Sequence, residues 1–112
     1  MTIQLPLAKD KKLRLEFRIE PGCLGPDGKQ HIDEFCRFAQ KQIESIDADF
    51  IHWVLIPRHD KLLAEIQYKI NNKILSQDQA QKYLAMFDKN LDQFEEHLNE
   101  TLSSLIEQFL QT

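Results

Sequence analysis

Between Ser76 and Leu110 the chain carries neither proline nor glycine. At about 100° per residue, Tyr83, Leu84, Phe87, Leu91, Phe94, Leu98, Leu102, Leu105 and Phe109 fall on one apolar stripe. Ile106 and Leu110 widen it near the end. Ser76 and Gln79 match a capping box, in which the hydroxyl accepts from a free first-turn amide and the Gln side chain reaches back. One unbroken helix over 76–110 is therefore predicted. It would run about 50 Å, whereas ordinary strands span about 20 Å. A small sheet would leave the far half of the stripe uncovered.

That mismatch concerns assembly. Residues 96–112 are expected to project as a dimerisation helix from a single domain spanning 1–112. Side chains left in water forgo about 1.5–3 kcal/mol each relative to full burial. A two-fold partner closes such a patch after two copies. The expected interface of this homodimer is Leu98, Leu102, Leu105, Ile106, Phe109 and Leu110.

Charge is divided unevenly along the chain. Residues 76–112 carry seven acids against two bases, and residues 1–75 carry eleven against twelve. The acidic half argues against nucleic acid, whose binding rests on clustered Lys and Arg. Lys9, Lys11 and Lys12 follow a short apolar stretch instead of preceding it, unlike a signal peptide. No apolar run approaches the roughly 20 residues that span a bilayer. Cys23 and Cys36 then read as reduced thiols, and the expected location is the cytoplasm.

The rest of the chain alternates between two periods. Leu13, Leu15, Phe17 and Ile19 alternate with Arg14, Glu16, Arg18 and Glu20, the period of a half-buried strand. Residues 3–7 suggest an edge strand, because Pro6 cannot donate to a ladder. Helix periodicity covers 29–46, with Ile32, Phe35, Cys36, Ala39, Ile43 and Ile46 on one side and Phe38 off it. Asp27 and Gln30 match a second capping box. Residues 50–56 are apolar at almost every position, as in a strand covered on both faces. Residues 61–70 alternate again, and Asn71-Asn72 is a turn pair that tolerates left-handed backbone.

The predicted class is α+β. The order ββαββα implies a four-stranded antiparallel sheet with both helices on one face and the last helix overlong. Strands 13–20 and 61–70 are expected side by side at its centre. The arrangement resembles a permuted ferredoxin-like sandwich, a fold-level likeness that says nothing of function.

No complete catalytic motif is present. Gly22 to Gly28 followed by Lys29 imitates a phosphate loop, but the spacing is wrong and Gln30 replaces the Ser or Thr that reaches magnesium. Cys23 precedes a helix, yet no base and orienting group accompany it. The Cys and His residues follow no zinc spacing. No metal or cofactor is expected. The leading expectation is a non-enzymatic, self-associating protein–protein interaction domain that also docks another protein. The alternative is a small-molecule-binding protein or enzyme with a pocket on the open sheet face around His52, Arg14, Arg18 and Tyr68. That placement turns Ile51, Trp53 and Leu55 inward and leaves His52 outward as the best-placed titratable group.

Overall fold

The computed structural model describes residues 4–111. It is an α+β arrangement of three helices and a mixed four-stranded sheet. Strand β1 (Leu13–Ile19) follows the predicted alternation, and Leu13, Leu15, Phe17 and Ile19 are all buried. Helix α1 (Gly28–Ile43) buries Ile32, Phe35, Cys36, Ala39 and Ile43. Strand β2 (Ile51–Pro57) follows, then β3 (Ile66–Ile70) and the two-residue β4 (Lys73–Ile74).

The sheet order is β2-β1-β3-β4, so β1 and β3 are the central strands. β1 pairs parallel with β2 and antiparallel with β3. The all-antiparallel, permuted ferredoxin-like sheet suggested by the pattern is thereby corrected. Residues 50–57 and 61–70 do not form a hairpin. Arg58 N–H donates to the Ile19 carbonyl at 2.9 Å, and Arg18 N–H donates to the Glu65 carbonyl at 2.7 Å. The connection thus passes the end of β1 and delivers β3 to its far side. Asp60 makes a turn within it, its carboxylate accepting from Leu62 N–H at 2.9 Å. That turn chemistry delays β3 to Ile66.

The fourth strand is not the expected one. Residue 3 lies outside the described residues, and 4–7 are not in a strand. β4 takes the edge beside β3 instead. Asn71 and Asn72 both have positive φ, 50° and 68°. Two left-handed residues between paired strands match the twist of a tight hairpin.

The predicted 76–110 helix is two helices, α2 (Gln77–Ala85) and α3 (Leu91–Leu110). The Ser76–Gln79 capping box forms as expected, whereas Asp27 makes no side-chain cap on α1. The break needs no proline or glycine. Asp88 turns left-handed at φ 61°. Asn90 caps α3 by accepting from Gln93 N–H at 3.2 Å, and Leu91 N–H finds the Gln81 side chain at 2.8 Å. Left-handed Asp costs roughly 1–2 kcal/mol. Folding α3 back buries Leu98, Leu102 and Leu105 in the chain's own core. At about 1.5–3 kcal/mol for each such side chain, burial outweighs the turn.

Within the described residues, up to 111, this corrects the projecting tail expected over 96–112. Of the six residues assigned to a dimer interface, three are buried, and Ile106 and Phe109 pack partly buried on the core. Phe109 meets Phe35 edge-on at 5.3 Å and Phe38 at 5.8 Å, which also explains why Phe38 departs from the stripe of α1. Leu110 is exposed.

β2 is an edge strand, and α1 covers part of that edge. Gln40 donates to the Trp53 carbonyl at 2.8 Å and accepts from Leu55 N–H at 2.9 Å. One side-chain amide thus occupies ladder positions that would otherwise invite another chain.

Candidate functional site

Residues directly paired across strands share a face. Arg14 lies opposite His52 and Lys69, Glu16 opposite Val54 and Gln67, and Arg18 opposite Ile56. Leu15 lies opposite Trp53 and Tyr68 on the other face. The helices gather on that second face: Trp53 stacks on Phe94 of α3 at 5.8 Å, and the Tyr68 hydroxyl donates to Glu95 of α3 at 2.7 Å. The inward turn of Ile51, Trp53 and Leu55 is as expected, and all three are buried. His52, Val54 and Ile56 on the open face are half-buried.

The open face brings His52, Arg14 and Arg18 together but not Tyr68, whose placement there is corrected. Tyr68 points among the helices with Ile66 and Ile70. Burial, and next its bond to Glu95, raises its phenol above the ordinary range.

The chemistry of the open face centres on Glu16, only 5% exposed. Arg14 Nε and Lys69 Nζ approach one carboxylate oxygen at 3.0 and 3.2 Å. Arg18 Nη2 approaches the other at 3.2 Å. Arg18 also donates to the Ala64 carbonyl at 2.8 Å and to Gln67 Oε1 at 2.9 Å. Its guanidinium is thus committed to the fold, and with 7% exposure it is no ligand group. Arg14 is different. Its Nε makes no directed hydrogen bond despite the close carboxylate, and its side chain is 41% exposed.

Three cations around one carboxylate leave the surroundings of Glu16 positive, with exposed Glu65 near Arg18 offsetting part of that charge. Burial lowers the His52 pKa first, and Lys9, Arg14 and Lys12 lower it further. The ring is therefore neutral at pH 7, able to donate at one nitrogen and accept at the other.

The remaining sequence candidates carry less. Cys23 is exposed on the 3-10 turn Pro21–Leu24. Cys36 is buried in α1, and its thiol is pushed up to about 11 by burial, Asp33 adding to the shift and Arg37 opposing it. The glycine loop answers to backbone geometry: a Cβ on Gly28 would lie 1.7 Å from the Pro21 carbonyl oxygen, and Gly25 has φ 94°. Among the described residues, no three His, Cys, Asp or Glu gather as metal ligands would. Among the same residues, no helix is long and apolar enough to cross a membrane.

Sequence reasoning missed a second concavity. The turn after α1, β2, the α2–α3 turn and α3 together enclose a cavity of about 310 Å³, lined in part by Asp47, Trp53, Asp88, Lys89, Phe94 and His97. Its only sequence signal is the break at Asp88-Lys89-Asn90. Comparison with protein-family models, curated proteins and solved structures finds no match, so no residue role is carried over from a relative.

Proposed function

We propose that this protein is a binding domain whose open sheet face docks an acidic, partly apolar segment of another protein. The observation that carries the proposal is the charge of that face. Lys9, Lys12 and Arg14 act on His52, and Lys69 lies beyond Arg14 on the next strand, in a chain whose net charge is −4. Val54 and Ile56 run alongside as a half-buried apolar row, and Ile74, paired with Lys69, adds an exposed one. Cations beside aliphatic side chains suit an acidic peptide better than a phosphate backbone, which leaves an apolar row unused. Arg18, tied up in the sheet, weakens the small-molecule alternative at this face. Self-association through the tail loses its motive because α3 is covered by its own chain.

The test uses a synthetic peptide alternating Glu with Leu, followed by NMR. Saturable shifts at the Val54 and Ile56 methyls and the His52 ring are expected. Binding should weaken as salt shortens the range of the charges. Acidic charge beside His52 opposes its cationic neighbours, so the bound histidine should titrate at higher pH, and affinity should rise as pH falls through that range. Lys9→Glu with Lys12→Glu, which leaves the Glu16 cluster intact, should cut affinity at least tenfold. Shifts confined to α3, or no saturation, would overturn the proposal. A single-stranded oligonucleotide binding more tightly than the peptide would assign the face to nucleic acid instead.

A further inference from the structure

The cavity beside Trp53 lies on the helix side of the sheet and is independent of the open face. At about 310 Å³ it stands at the lower end of the range for small-molecule sites. Trp53 and Phe94 make one wall. The indole N–H is held by the Ile46 carbonyl at 2.7 Å, and the two rings stack at 15°. The aromatic pair is therefore fixed before any ligand arrives.

Two carboxylates approach the cavity from separate turns. Asp47 follows α1 and Asp88 follows α2, and both have left-handed backbone, at φ 50° and 61°. Non-glycine residues held in that region are uncommon, and here two of them line one concavity. Lys89 is the one lysine among the lining residues, and its Nζ stands 3.9 Å from Asp47 Oδ2, too far for a good hydrogen bond. The lining keeps one negative charge in excess. The surrounding field has the same sign, because residues 76–112 carry seven acids against two bases.

We propose that this cavity binds a compact organic cation, an ammonium group on an apolar body. The ammonium sits between Asp47 and Asp88, where it makes the short charged contact that Lys89 leaves unmade. The apolar body lies against Phe94 and the aliphatic rim at Ile46, which is 41% exposed. Aromatic rings beside the ammonium add attraction through their negative faces. A neutral or anionic analogue of the same shape gains neither effect.

Trp53 is the only tryptophan, so its fluorescence reports on this wall alone. The probes are butylammonium and phenethylammonium, with 2-phenylethanol as the neutral isostere and 3-phenylpropionate as the anion. A saturable fluorescence change is expected with at least one ammonium probe. The alcohol should bind at least tenfold more weakly, and the carboxylate should give no saturation. Asp47→Asn and Asp88→Asn remove charge while keeping a residue that accepts left-handed backbone, and each should weaken ammonium binding at least fivefold. Should one variant fail to fold by circular dichroism, the other decides alone. No saturation with either ammonium, equal affinity for the alcohol, or indifference to the Asn change overturns the proposal.

Discussion

The Tyr83 hydroxyl of α2 accepts a hydrogen bond from the Leu13 amide, 70 residues earlier, at 3.1 Å and donates to the Phe50 carbonyl at 2.8 Å. Leu13 N–H also reaches the Phe50 carbonyl at 3.0 Å. One phenol thus ties α2 to the point where the two parallel strands begin. Its ring meets Phe87 at 5.3 Å, and Phe87 stacks on Phe50 at 4.3 Å. Burial raises the phenol pKa, with the Leu13 amide opposing the shift, so the neutral hydroxyl persists as donor and acceptor.

Tyr83→Phe keeps the ring contacts and deletes this clamp. The Phe50 carbonyl keeps the Leu13 amide as a donor, so the loss is that of an ordinary hydrogen bond, about 0.5–1.5 kcal/mol. For a domain near 100 residues, each kcal/mol lowers Tm by roughly 4–8 °C. Thermal unfolding followed by circular dichroism should show a fall of that order. A Tm within error of wild type would mean that the Leu13–Phe50 bond alone holds the strand ends.

For the Glu16–Arg18 pair, two substitutions should cost less than one. Both side chains are under a tenth exposed. Removing one partner from a buried pair strands a charge and costs about 3–5 kcal/mol, whereas replacing both by apolar groups is often neutral. Glu16→Leu should therefore lower the urea midpoint more than Glu16→Leu with Arg18→Leu. Additive losses would place the energy of the cluster in Arg14 and Lys69.

These two clusters show which features of the fold were legible in the sequence. Alternation in Leu13–Ile19 identifies a strand and its buried face, and it also puts Tyr68 inward with Ile66 and Ile70, against its use as an open-face ligand. Alternation does not say on which side of β1 a later strand pairs, or in which direction. That depends on residues 58–65, whose anchoring by Arg58 is a tertiary contact. The break in the long helix was partly visible. Asn90 and Gln93 repeat the cap-and-third-position pattern of Ser76 and Gln79. It is masked because Asp88 turns left-handed without the glycine that normally announces such a turn. Glu16 as the buried centre of a wet face was not legible, since its cover comes from cations on two strands.

The two thiols should separate chemically. Cys23 is exposed and Cys36 is buried with its pKa raised from 9.0 to about 11. The thiolate is the reacting form. At pH 8, a thiol reagent should label Cys23 promptly and Cys36 only after denaturant is added. A raised acid pKa in the fold means that its contribution to stability is complete below 9.0 and is lost as pH rises toward 11. Cys36→Ala should flatten the stability profile across that alkaline window. Prompt native labelling of both thiols would show that α1 opens readily.

The last prediction separates a tail covered by its own chain from one awaiting a partner. Leu102 is 6% exposed and Leu110 is 56% exposed, on the same helix and on the same apolar stripe. If α3 folds back, Leu102→Glu buries a carboxylate in the core and should destabilise the chain itself, by at least the roughly 2–5 kcal/mol that truncating such a leucine costs. Leu110→Glu should change stability by no more than about 0.5 kcal/mol, as surface substitutions do. Sedimentation of the wild type at micromolar concentration should give a single copy, and Leu102→Glu should lower the urea midpoint without changing that mass. Two copies in the wild type, dissociating in Leu102→Glu with its unfolding unchanged, would mean that α3 swings out to pair with a second chain.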